Sequence, residues 1–284
     1  GIWNLESGIQ IQEVPMSNWK KKYVEMDMII REKRPMIHHI TNYVVMNVTA
    51  NVTLAMGASP VMAHANEEVE DMVVFASAHV LNPGTLSPHW ITAMLKSGKK
   101  AKELGIPIIL DPVGAGATSL RTDTCMQILE EVRPDVIRGN QAEVMILGGE
   151  DAQIQGVDSL ETGEAPVEAF KALARKTGAV ICVTGPIDHV TDGETTFRIE
   201  NGHSMMGNVT GTGCSASTAV AVYCAAGGAT AEACAMGLAV FGACGELAGE
   251  ECRGPGSFQV AILDALYNAP SRNLGKRLRI SEVS

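Results

Sequence analysis

Basic residues are in short supply along this chain of 284 residues. Lys and Arg number 22 against 32 Asp and Glu, which gives a formal net charge of −10 at pH 7 and a pI near 5.2. Such a chain has no global positive field to hold nucleic acid, which argues against a nucleic-acid partner. A phosphorylated small ligand remains open to it, because a few backbone N–H groups and one Arg bind phosphate locally. Charge of either sign makes up only 19% of the residues and hydrophobic residues 46%, so wholesale disorder is excluded. Paired cysteine spacings are missing. Cys125, Cys182, Cys214, Cys224, Cys234, Cys244 and Cys252 form an odd set without CxxC, and most sit in apolar helical patterns. That argues against a disulfide scaffold or a zinc site and favours a reducing compartment. No HExxH or other metal-ligand spacing involves His38, His39, His64 or His203. No N-terminal stretch has the charged, apolar, small-residue order of a secretory signal, so a cytoplasmic location is expected. The apolar region 216–249 is interrupted by Gly227, Gly228, Glu232 and Glu246, and reads as a pair of buried helices with no membrane partner. GxxxxGK[ST] and GxSxG are absent, and Gly114-Ala115-Gly116 lacks the third glycine and the distant acid of a dinucleotide fingerprint.

What is present is a repeated order of strand, polar turn and helix. Ser17 can cap a helix running to residue 34, which Pro35 ends. Strands are expected at 36–40, 60–62, 80–82, 106–111, 136–138 and 180–183, and 189–191 with 195–199 straddle Asp192-Gly193 as a hairpin. Helices are expected from Thr41-Asn42 to Gly57, over 67–76, 87–104 and 125–132, from the cap Asn140 to 147, and over 167–178. Three more close the chain at 213–226, 230–249 and 256–267, and 149–164 reads as a Gly- and acid-rich loop. This order predicts a mostly parallel sheet with helices on both faces. Residues 1–16 read as an N-terminal tail of unknown order and 17–284 as a single domain. In such sheets ligands sit beyond the carboxyl ends of the strands, which directs attention to Asn42, Met62, Asn82, Asp111, Arg138, Asn140 and Thr184.

The sharpest local pattern is VTGTGC at 209–214, followed by a helix of small residues. Gly211 and Gly213 let the backbone turn tightly and approach a ligand. The helix behind them offers free N–H groups and a positive dipole end, a hole for the charge on a phosphoryl group in transfer. A plain glycine turn into a packed helix is the alternative. Cys214, in the first turn of that helix, either accepts a proton with a pKa lowered by the helix terminus or simply places its N–H. Asp111 ends an apolar strand and precedes a Pro- and Gly-containing loop; it either serves a ligand or caps a turn. Asn140 and Glu143 share a helix face, and Asp111 with Glu143 can share one hydrated Mg²⁺. A cap and an exposed acid are the alternative for that pair. Arg138 ends an apolar strand and needs a partner, either a phosphate or a carboxylate. The Thr184 hydroxyl either contacts phosphate or caps a turn.

Several separated stretches together resemble a known family. They are HHITNYVVMN at 38–47, GASPVMA at 57–63, LDPVGAG at 110–116, IRGN at 137–140, VTGTGC at 209–214 and GPGSF at 254–258. The chain is similar over about residues 20–270 to the hydroxyethylthiazole kinases of thiamine salvage, members of the ribokinase-like superfamily. The first two stretches separate that family from other small-molecule kinases of the fold. The resemblance implies a ribokinase-like α/β fold, ATP with Mg²⁺, and phosphorylation of the primary alcohol of 4-methyl-5-(2-hydroxyethyl)thiazole. It implies that Met62 and Gly211 contact the thiazole with Asn42 near it, and that Arg138 and Thr184 contact ATP phosphates. Asp111 and Glu143 would belong to the metal and phosphate apparatus, with Asn140 beside them. Cys214 stands where the wider superfamily usually has an Asp base, a departure shared within thiazole kinases that leaves the base open. The family also implies a homotrimer with sites between subunits. The competing readings are a kinase of the same fold acting on hydroxymethylpyrimidine or pyridoxal, a nucleotide-binding sensor without catalysis, and a structural protein.

Overall fold

Apolar runs too short for helices, each followed by a polar turn, become the strands of one sheet. The computed structural model describes residues 11–12, 16–149 and 165–283. Its strands are β1 (Ile11–Gln12), β2 (Met36–Ile40), β3 (Ser59–Val61), β4 (Ala78–Leu81), β5 (Ile108–Leu110), β6 (Val136–Asn140), β7 (Val180–Thr184), β8 (Asp188–Thr191), β9 (Thr196–Ile199) and β10 (Ile280–Val283). They lie in the order β1-β10-β9-β8-β7-β6-β5-β4-β2-β3. From β7 to β3 every neighbouring pair is parallel, and from β7 to β1 every pair is antiparallel.

The helices described are α1 (Met16–Lys33), α2 (Met46–Ala55), α3 (Val69–Val73), α4 (Pro88–Glu103), α5 (Ser119–Glu131), α6 (Gln141–Gly148), α7 (Val167–Thr177), α8 (Thr212–Gly227), α9 (Ala231–Glu251) and α10 (Pro255–Asn268). Alternate strand residues face opposite sides of the sheet. Ile37, Val80, Ile109, Val136 and Cys182 pack against α1, α2, α8, α9 and α10. Ile40, Leu81, Ile108 and Leu110 pack against α3, α4 and α5, and Ile137 and Ile181 against α6 and α7. The apolar α9 is buried between α8, α10 and the sheet, as a core helix and not as a membrane span. Five cysteines are buried and all seven are free thiols.

The structure departs from the sequence expectations at a few places. Helix α1 starts at Met16, so Ser17 lies inside its first turn. Thr41 and Asn42 do not start α2, because the Asn42 side chain is occupied elsewhere. Its Oδ1 accepts from Val44 N–H at 3.0 Å in a tight turn, and the helix begins only at Met46. Helix α5 starts at Ser119, capped by the Thr118 hydroxyl, well before residue 125. Three helices do not close the chain: β10 follows them and pairs with β9, which extends the sheet past the hairpin. Ile11–Gln12 pairs with β10, so the first sixteen residues contribute one strand. The loop expected over 149–164 lies outside the described residues except for Gly149.

Candidate functional site

Strand ends and one helix end meet on a single side of the sheet. Asp111, just past β5, still bonds the sheet through its N–H to Leu81 O at 2.9 Å and is fully buried. Arg138 lies within β6 on the α8 face, and Asn140 and Thr184 are register partners at the ends of β6 and β7. Gly211 introduces α8 in the left-handed region at φ +85°, where a side chain would be strained. A Cβ there would also stand 3.0 Å from Val45 Cγ1. Gly213 serves a different need: a Cβ would come within 3.2 Å of Arg138 Nη1, so glycine admits the guanidinium to the helix end. The first hydrogen bond of the turn runs from Ser215 N–H to Gly211 O at 2.8 Å, so the N–H groups of Thr212, Gly213 and Cys214 precede the helical ladder.

These elements surround a cleft of ≈ 420 Å³. Of the residues predicted from sequence, Asn42, Asp111, Arg138, Asn140, Glu143, Gly211, Gly213 and Cys214 line it. Thr184 stands behind them, its hydroxyl accepting a hydrogen bond from Arg138 Nη2. Met62 is not among the lining residues. It follows the edge strand β3, half-buried, with its carbonyl held by His64 Nδ1 at 3.1 Å. Asn140 and Glu143 form a reciprocal helix cap, the first half of the alternative reading, though Glu143 is part-buried and not an exposed acid: Asn140 Oδ1 accepts from Glu143 N–H at 2.9 Å and Glu143 Oε2 from Asn140 N–H at 3.0 Å. Glu143 Oε1 also accepts from Gly114 N–H at 2.9 Å, tying the loop after Asp111 to α6.

The electrostatics of Cys214 run against one of its two sequence readings, that of a proton acceptor with a pKa lowered by the helix terminus. Burial, reinforced by the charge of Asp111, pushes its thiol pKa up to about 12, and the hydrogen bond from Asn82 offsets only part of this. Its position at a helix N-terminus does not make it a thiolate. Burial also raises the pKa of Asp111, against the opposing pull of Arg138, whose Nη1 stands 3.7 Å from Oδ1. Asp111 Oδ1, Arg138 Nε and Ser217 Oγ are buried without a hydrogen-bond partner. Buried polar atoms are rarely left so, and a cluster of them at a cleft marks a place for a polar ligand. Among the described residues no group of three or more His, Cys, Asp or Glu could hold a metal ion by itself.

One lining residue escaped the sequence reading as a functional candidate. Arg121 of α5 reaches the cleft and donates to Val113 O at 3.2 Å, and no strand end pointed to it. Asn82 was marked only as a polar strand end, yet it joins Asn42, Asp111 and Cys214.

Residues 28–271 match the profile of the hydroxyethylthiazole kinase family. The chain belongs to the hydroxyethylthiazole kinase family. A hydroxyethylthiazole kinase of Desulfosudis oleivorans is 53% identical over 265 residues, covering 93% of this chain and 97% of that protein. The solved structure of a hydroxyethylthiazole kinase from Pyrococcus horikoshii superposes with a TM-score of 0.84 at 41% identity, covering 93% of this chain and all of that one. A ribokinase-like superfamily protein of Enterococcus faecalis shares the fold at 13% identity and a TM-score of 0.63, over 93% of this chain and 92% of its own. The ribokinase-like fold expected from the resemblance is the fold of this member of the hydroxyethylthiazole kinase family.

Proposed function

We propose that the chain transfers the γ-phosphoryl group of ATP to the hydroxyl of 4-methyl-5-(2-hydroxyethyl)thiazole, the alcohol used in thiamine biosynthesis. The observation that carries this reading is the meeting of the free N–H groups opening α8 with Arg138 and Asp111 in one cleft. In this reading the phosphates lie against those N–H groups, Arg138 and, through it, Thr184, with Asn140 at the rim. Arg138 Nε, a buried donor without an acceptor, suits a phosphate oxygen. The thiazole lies toward Asn42 and Gly211, with Met62 completing its site.

The donor set fits Mg²⁺. Asp111 offers a carboxylate oxygen without a partner, and the Glu143 oxygens keep lone pairs beyond their backbone bonds. Two carboxylates, with no third His, Cys, Asp or Glu joining them among the described residues, match an ion that keeps most of its waters. Bound there, Mg²⁺ would neutralise charge on the transferring phosphates. The remaining work falls to the chain. The helix opening and Arg138 face the charge that gathers on the phosphoryl oxygens. Asn42 orients the acceptor hydroxyl, whose oxygen forms the new P–O bond as the bond to ADP breaks. A loose transition state lets the alcohol proton leave late, so little is asked of a base. Cys214, a thiol with its pKa near 12, accordingly contributes chiefly its N–H and its volume.

A homotrimer with sites between subunits accords with two observations. Met62 stands outside the cleft of the single chain, and Tyr43 and Val44 beside that cleft are each 64% exposed. A cytoplasmic location accords with seven free thiols, two of them, Cys224 and Cys234, only 3.7 Å apart. A coupled assay of ATP consumption with Mg²⁺ tests the substrate. The thiazole alcohol is expected to support faster turnover than the pyrimidine alcohol, and turnover with the pyrimidine alcohol alone would overturn the proposal.

A further inference from the structure

Asn82 is 1% exposed, and its backbone is fixed by an N–H bond to Ile40 O at 2.9 Å. Its amide nitrogen donates to Asp111 Oδ2 at 2.9 Å and to Cys214 Sγ at 3.2 Å. Its amide oxygen accepts from Asn42 Nδ2 at 2.9 Å and from Gly84 N–H at 3.0 Å. All four of its hydrogen-bonding positions are thus filled. The orientation of the amide is unambiguous, because rotating it would set its oxygen against the Asp111 carboxylate. Asn42 closes the ring through a weak contact from Nδ2 to Cys214 Sγ at 3.8 Å. The ring is tight: a Cβ on Gly84 would stand 2.5 Å from Asn42 Nδ2.

We infer that Asn82 is a positioning residue for phosphoryl transfer, holding the Asp111 carboxylate, the Cys214 sulfur and the Asn42 amide in one fixed arrangement. With Oδ2 committed to Asn82, Asp111 keeps Oδ1 as its free oxygen, facing Arg138. With amide hydrogens directed at its sulfur, Cys214 turns its own S–H away from Asn82. Asn82 touches no reacting atom; it acts through its three neighbours. Nothing in the motif stretches pointed to this, since Asn82 falls between them. The inference rests on the kinase reading proposed above.

The test uses Asn82→Ala and Asn82→Asp beside the wild-type enzyme, with steady-state kinetics and thermal melting across pH. Removing the amide is expected to lower kcat about 100-fold, because misplacement of the reacting groups costs rate directly. The KM values for ATP and the thiazole alcohol should change by no more than about twofold. Asn82→Asp sets two carboxyls within hydrogen-bond reach, where they share one proton. Protonated, the new carboxyl still donates to Asp111; ionised, it repels it. Activity and melting temperature of this variant should therefore both fall, relative to wild type, as pH rises. A kcat for Asn82→Ala near the wild-type value, or a loss seen only in KM, overturns the inference. Should Asn82→Ala fail to fold, Asn82→Asp decides: kinetic and melting differences from wild type that are the same at every pH overturn it. Wild-type enzyme that leaves the thiazole alcohol unphosphorylated contradicts the substrate proposal instead, and the pH dependence of the Asn82→Asp melting difference still reads the Asn82–Asp111 contact.

Discussion

At neutral pH the Cys214 thiol holds its proton, because burial and the Asp111 carboxylate push its pKa up to about 12. A base that must ionise there would leave the enzyme idle, so the rate has to come from positioning and charge. Cys214→Ala should therefore keep activity within about tenfold of wild type, with an unchanged pH profile between about pH 6 and 9. Arg138→Ala and Asp111→Ala should each lose about 100-fold or more in kcat/KM, as when a positioned charge partner is removed. Steady-state kinetics in the reverse order would reassign the roles. Asp111 and Arg138 were legible in the sequence because an apolar strand pattern stops at each, and Cys214 because it follows the glycine turn at 209–213. Two things about them were not. The pKa of Cys214 is raised by burial and then by a neighbour about a hundred residues away, and the cap made by Asn140 and Glu143 was only one of two readings until their reciprocal hydrogen bonds were seen. Met62 is named by the resemblance alone, and in the single chain it is not among the residues that line the cleft.

Among elements, the opening of α8 carries the function. Gly211 meets two demands at once, a positive φ and contact with Val45. Gly211→Ala should destabilise the fold by about 1–2 kcal/mol from backbone strain alone. It should also lower activity, and Val45→Ala should not restore it, since trimming that side chain leaves the φ strain. Urea unfolding with paired assays checks both statements. The contact of α8 with α9 depends on Gly237, where a Cβ would stand 2.9 Å from Ala219 O. Gly237→Val should cost about 1–3 kcal/mol by overpacking. The apolar patterns of these helices announced their burial. The strand β10 was not announced, because four residues near a chain end become a strand only through the hydrogen bonds that β9 offers them. The late start of α2 has a local origin: Asn42 is a good cap in isolation, but its Oδ1 closes a turn onto Val44 N–H, and the helix follows that turn.

For the molecule as a whole, buried imidazoles weaken the fold in acid, while Asp188, its pKa raised by burial to about 6, and Asp27 and Asp111, also raised by burial, act in the opposite sense. Burial lowers the pKa of His39 to about 3 and also lowers those of His38 and His79. The unfolded chain takes up these protons near the ordinary histidine value of about 6.5, and the fold refuses them. The histidine share of stability is therefore fully present above that value and is lost as pH falls from about 6.5 toward 3. The urea midpoint should drop between pH 7 and 5, and His39→Gln should make that drop shallower. If the proposed trimer forms, sedimentation at equilibrium should give three times the 30.0 kDa chain mass. Replacing Tyr43 and Val44 by charged residues should reduce it.

The most direct test of the account is a crystal structure with a non-hydrolysable ATP analogue, Mg²⁺ and the thiazole alcohol. The account predicts the γ-phosphoryl group against the N–H groups of Gly213 and Cys214, within reach of Arg138, with the alcohol oxygen on its open side. A nucleotide bound with its phosphates away from the opening of α8 would contradict it.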